Sequence, residues 1–119
     1  MRLSRDFSMT SHAEFSRARK DGRAKGGAYL VLSTLVDDAL LHHKAGVIVT
    51  RKVGNAVMRN RLRRRIHHIM GKHLDSIDGT RYIVTILRWR APEASFEQLE
   101  ADWLKQARRL GILNAQPHS

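Results

Sequence analysis

The 119-residue chain has no cysteine. That single absence removes disulfides, thiol nucleophiles and zinc–thiolate centres together. Aromatic residues are few: three Phe, two Tyr and two Trp. A protein that reads bases by stacking them across a sheet would usually present more. No apolar run reaches the ~18 residues that a membrane-spanning helix needs. The opening MRLSRDFSMTSHAEF is broken by Arg5, Asp6 and His12 and lacks the apolar stretch of a signal peptide. The expectation is a soluble, cytoplasmic protein with no membrane role. The glycine-lysine signature of a phosphate-binding loop is missing, as are GxSxG and HExxH. Acidic residues are scarce as well, and none occurs between Asp38 and Asp75.

What is abundant is positive charge. Twenty-two Lys and Arg against eleven Asp and Glu give a net charge of +11. Such a balance points to nucleic acid or an anionic surface as partner, and says nothing about fold. Hydrophobic residues make up 42% and are spread along the chain. A single folded domain spanning 1–119 is therefore expected rather than a disordered polycation.

Taken in order, residues 1–10 read as a flexible basic arm. Ser11 with Glu14 three residues later matches a capping box, followed by a short helix carrying Phe15 and ending at Asp21-Gly22. Arg23–Gly27 reads as a loop or short irregular strand. Tyr29–Val36 is continuous and β-branched, a strand. Asp37-Asp38 starts a turn, and a second strand, Gly46–Arg51, is expected to return antiparallel to the first. In it Val47 and Val49 share one face, Ile48 and Thr50 the other. Gly54-Asn55 then opens a long helix whose apolar stripe is Met58, Leu62, Ile66, Ile69 and Met70. After Asp78-Gly79 comes a buried-type strand, Tyr82–Leu87, making a β-α-β unit with parallel strands. Ser95 and Gln98 form a second capping box before a helix bearing Phe96, Leu99, Trp103, Ala107 and Leu110. Gly111 ends it, and 112–119 reads as a frayed tail.

The element that stands out is the helix after Gly54. Arg59, Arg61, Arg63, Arg64 and Arg65 crowd around Asn60. A merely solvated basic helix would intersperse carboxylates four residues away to relieve repulsion. None is there. Arginine also suits bidentate phosphate contacts. The arrangement points to RNA or DNA. Glu93, Glu97, Glu100 and Asp102 read as first-turn charges and a solvated face, not as catalytic carboxylates. His42-His43, His67-His68 and His73 invite a metal reading, but neighbours on a helix point about 100° apart and do not converge.

The segment Arg51-Lys52-Val53-Gly54-Asn55-Ala56-Val57-Met58-Arg59-Asn60-Arg61-Leu62-Arg63-Arg64 closely resembles the signature of the protein subunit of bacterial ribonuclease P. The resemblance implies an α+β sandwich in one domain, of order α-β-β-β-α-β-α, with a small mixed sheet packed by helices. It also implies a left-handed β-α-β crossover, against the usual right-handed preference. By the same resemblance the catalyst is an RNA subunit with Mg2+, bound mainly by RNA, that removes the 5′ leader of precursor tRNA. The partners implied are that RNA and precursor tRNA, with no obligate protein partner and no protein catalytic residue. Carried over by position, Arg51, Lys52, Asn55, Arg59, Asn60, Arg61, Arg63 and Arg64 would meet the catalytic RNA. Phe15, Arg19, Ser33, Val47 and Val49 would line the leader cleft. Departures stand at Arg19 and Ser33, where the family often has aromatics, and at His67, where a further arginine is common. They imply leader contacts that are more electrostatic and less dependent on stacking.

Overall fold

A computed structural model describes residues 15–17, 20 and 22–113. The expected Ser11–Glu14 cap, Asp21, Arg19 and the arm at 1–10 lie outside these residues. The first helix, α1, is described at 15–17 and 20. It is followed by β1 (Arg23–Gly26), β2 (Leu30–Val36), β3 (Lys44–Ile48), α2 (Ala56–Lys72), β4 (Arg81–Leu87) and α3 (Phe96–Arg109), with single 3-10 turns at Leu74–Ser76 and Ala91–Glu93. The order α-β-β-β-α-β-α is the one expected.

The sheet runs β1-β2-β4-β3. β2 and β3 therefore do not form the hairpin that their sequence spacing predicts. β4 lies between them, antiparallel to β2 (Leu30 opposite Leu87) and parallel to β3 (Ile48 opposite Ile86). Burial explains the exchange. Six of the seven β4 residues are buried, and only a central strand is covered on both faces. The edges go to the polar or glycine-bearing strands, RAKG and KAGVI, whose lysines tolerate an unpaired edge. The parallel pairing of β3 and β4 across α2 is as expected. β3 starts two residues earlier than the sequence suggests and ends at Ile48 instead of Arg51, because Thr50–Val53 closes as a turn in which Val53 N–H donates to Thr50 O at 3.0 Å.

Alternation splits the sheet's side chains between two faces. Leu30, Leu32, Ile83 and Leu87 meet the stripes of α2 (Leu62, Ile66, Ile69, Met70) and α3 (Leu99, Trp103, Ala107) in the main core. Trp103, wholly buried, satisfies its ring N–H on Thr85 Oγ1 at 3.2 Å. On the other face Tyr82 and Val84 are packed by Phe15, Leu35, Leu40, Ile48 and Ile86.

The chain past α3 is not all loose. Gly111 takes a left-handed φ of 73°, Ile112 is wholly buried, and Leu113 bridges to Ile77. An apolar pair at 112–113 has a core to enter, which a reading of the tail by position missed. Residues 114–119 lie outside those described.

Candidate nucleic-acid interface

The candidate interface begins where β3 leaves the sheet. Buried Val53 anchors the turn, so Arg51 and Lys52 stand exposed at its corners. A Cβ on Gly54 would come within 3.0–3.1 Å of the Met58 side chain, a tight approach that favours glycine at this bend. Asn55 is the N-cap: its Oδ1 accepts the Met58 N–H at 2.9 Å. That oxygen is thus engaged in folding, and only the side-chain amide N–H groups remain for a partner.

Along α2, Leu62, Ile66, Ile69 and Met70 are buried as the periodicity predicts, with Met58 half-buried beside them. The arginines are not equivalent. Arg59 is half-buried and its Nε donates to Gly54 O at 3.2 Å, which folds the side chain back over the bend. Arg63 donates to Asn60 Oδ1 at 3.2 Å, so Asn60, a poor residue for a mid-helix site, orients the arginine one turn on. Arg61 and Arg64 are exposed, three residues apart on one face. Arg65 is half-buried.

Among the described residues, no carboxylate forms an ion pair with any of these five arginines. The pairs that do form lie elsewhere: Arg17 with Asp37 at 2.9 Å, and Lys72 and His73 with Glu100 at 3.0 and 2.8 Å. Glu100 is therefore not part of a solvated face. Burial pushes its carboxyl up, but the hydrogen bonds and charges of His73 and Lys72 outweigh this and hold it below the usual carboxylate range. Asp102 is also engaged, accepting Tyr29 N–H and the Gln106 side-chain amide at 3.0 Å each. The C-terminal end of α2 is neutralised by α3, while its arginine-bearing part is left positive. His68 meets Phe96 edge-on at 5.5 Å. Among the described residues no three His, Asp or Glu side chains gather as metal ligands.

The expected cleft residues divide. Phe15 and Ser33 share the second sheet face: Ser33 is buried and lies opposite Val84, which with Tyr82 forms the cluster that Phe15 packs against. Val47 and Val49 do share a face, but it is the main-core face, so they turn away from Phe15. Tyr29 packs on that core side too. Ile48, Tyr82 and Ile86 take their place around Phe15, and Arg17 lies 5.7 Å above the Tyr82 ring. Alternation in β3 and β4 could have found them. What alternation lacked was which face α1 covers, and that is a tertiary fact.

The ribonuclease P family model matches residues 3–111 of the chain. A ribonuclease P protein component from a Nocardioides species is 33% identical over 111 residues, covering 92% of this chain and 95% of that protein. One from Acidothermus cellulolyticus is 33% identical over 105 residues, covering 87% and 88%. Among solved structures, the RNase P protein of Staphylococcus aureus superposes with a TM-score of 0.84 at 25% identity, over 91% of this chain and 98% of that one. The RNase P protein of Thermotoga maritima, in complex with 1-(4-fluorophenyl)-2-thiourea, gives 0.71 at 26% identity, over 77% and 89%.

Proposed function

Because this chain belongs to the ribonuclease P protein family, we propose that it is the protein component of a ribonuclease P that removes the 5′ leader of precursor tRNA. The observation that carries the proposal is the α2 surface: five arginines without a carboxylate partner among the described residues. Arg61 and Arg64, exposed and unencumbered, bind phosphates of the catalytic RNA. Arg59 and Arg63, steered by Gly54 O and Asn60, present fixed guanidinium edges beside them. Arg51 and Lys52 extend this surface at the turn.

The leader lies against the second sheet face near Phe15, with Ile48 and Ile86 in place of Val47 and Val49 as its apolar floor. Bond cleavage belongs to the RNA subunit. Magnesium serves that RNA. The proposed setting is cytoplasmic; among the described residues no helix is long and apolar enough to cross a membrane.

The test is reconstitution. The protein is mixed with a cognate-type catalytic RNA and a precursor tRNA at low magnesium, and compared with the same RNA alone. Stimulated release of the 5′ leader is expected. No stimulation would overturn the proposal.

A further inference from the structure

Between β4 and α3 the chain reads Arg88-Trp89-Arg90, outside the signature and outside the leader face. Trp89 is 66% exposed. A lone apolar side chain on a surface is ordinary, but this one is built in. Ala91 N–H donates to Arg88 O at 2.9 Å, closing a four-residue turn with Trp89 near its apex. Arg88 N–H donates to Tyr29 O at 2.9 Å, and its guanidinium donates to Gly27 O at 2.9 Å. The Arg90 guanidinium sits 5.8 Å above the Tyr29 ring. Both flanking arginines are tied to the neighbouring Gly27–Tyr29 segment, which fixes the turn that carries the exposed indole. Among the described residues neither arginine has an ion-pair partner.

Topology places this turn beside the RNA-facing surface. β3 and β4 are parallel and in register at Ile48 and Ile86, so the Arg51–Lys52 corner and the Trp89 turn leave the same end of the sheet from adjacent strands. The 3-10 turn that follows, Ala91–Glu93, packs against α2. An exposed aromatic side chain flanked in sequence by arginines, beside the Arg51–Lys52 corner, is the chemistry that holds an unpaired base: the ring stacks and nearby cations meet the flanking phosphates. A membrane surface fits less well. Of the three other large exposed apolar side chains described, Val36 and Leu41 lie at the opposite end of the sheet, which leaves only Val57, in the first turn of α2, on the side of Trp89.

We infer that Trp89 is a stacking platform for an unpaired base of the RNA that α2 docks. This rests on the reading of α2 as the docking surface, and the test separates the two. The full chain is titrated with a cognate-type catalytic RNA across a salt series, as wild type, Trp89→Leu, Trp89→Phe and the double variant Arg61→Ala/Arg64→Ala. Tryptophan emission is followed, with phosphatidylglycerol vesicles as a parallel probe. Trp103 is buried, so the difference between wild type and Trp89→Leu isolates Trp89.

The expected result has four parts. RNA quenches Trp89 emission. Trp89→Leu weakens binding about tenfold, within the range of one stacked base. Trp89→Phe restores most of it. The salt slope of Trp89→Leu equals that of wild type, because no charge was removed. Unchanged affinity and emission in the Trp89 comparison, while the arginine variant loses affinity, would overturn the stacking site and leave docking by α2 intact. Full affinity in the arginine variant would overturn the docking reading itself. Trp89 emission that responds to the vesicles and not to RNA would make the turn a lipid contact and overturn the inference.

Discussion

Helices α2 and α3 pack over the same face of the sheet, and each buries an apolar stripe in the main core, yet they treat charge in opposite ways. α3 is balanced within the domain. Ser95 and Gln98 cap each other's backbone, Glu97 lies in the first turn, and Arg108 and Arg109 lie in the last, each where the helix dipole favours it. Its inward carboxylates, Glu100 and Asp102, are bonded to Lys72, His73, Tyr29 and Gln106. α2 has one cap, no acid in its first turn, and guanidinium groups that repel one another. One helix has used its charge to fold, and the other leaves its arginines without a carboxylate among the described residues. Breaking each helix should therefore damage different properties.

The largest effect is expected on the α3 side. Trp103→Ala removes a wholly buried indole, its bond to Thr85 and its stacking over His73 at 6.4 Å. The loss should be about 3–5 kcal/mol of folding stability, measured by urea unfolding. A loss below about 1 kcal/mol, outside the range for a buried aromatic, would mean that α3 is not the main support of the core.

Next comes Arg61→Ala with Arg64→Ala. The slope of log affinity for RNA against log salt should shrink by about 0.7–0.9 for each phosphate that is no longer neutralised. Stability should stay within a few tenths of a kcal/mol of wild type or rise slightly as repulsion is relieved. Unchanged slope with lowered stability would reverse the contrast between the helices. Arg59→Ala and Arg63→Ala are less clean probes, since each also breaks a hydrogen bond within the domain.

The contrast between the helices was partly legible beforehand. The stripe of α2, its freedom from acids and the capping box of α3 follow from spacing alone, and the structure keeps all three. Strand adjacency was not legible. Tyr29–Val36 and Gly46–Arg51 look like a hairpin because nearness in sequence favours pairing, whereas the sheet places β4 between them to bury its two apolar faces. The cleft side of β3 was hidden for a related reason. Val47 and Ile48 are equally apolar, and only the placement of Phe15 decides which of them faces it. Glu100 and Asp102 resembled a solvated face because their partners, Lys72, His73 and Tyr29, come from other elements.

The caps give a smaller and matched pair. Asn55→Ala and Ser95→Ala should each cost about 1 kcal/mol of stability, since each leaves a first-turn N–H without its acceptor. Only Asn55→Ala should also weaken RNA binding under conditions where both variants remain folded. If Ser95→Ala weakened it equally, the binding surface would extend onto α3.

The smallest effect lies in the pH dependence, where two groups act in separate windows. Burial, then the charges of Arg81 and His42, lowers the pKa of His43 from its ordinary 6.5. The folded state therefore resists a proton that the unfolded chain accepts, and stability present above pH 6.5 falls as pH drops toward the folded value. Glu100 has its pKa lowered from 4.5, so its contribution is present above that pH and disappears only in stronger acid. His43→Gln should flatten the stability profile just below pH 6.5 and leave the acid end alone. Glu100→Gln should flatten the profile below pH 4.5 and slightly lower the neutral plateau, because Lys72 and His73 lose their carboxylate. Thermal unfolding across roughly pH 3–8 would separate the two. If Glu100→Gln left the acid end unchanged, the junction between α2 and α3 would not depend on this ion pair, and the claim that α3 neutralises the end of α2 would fail.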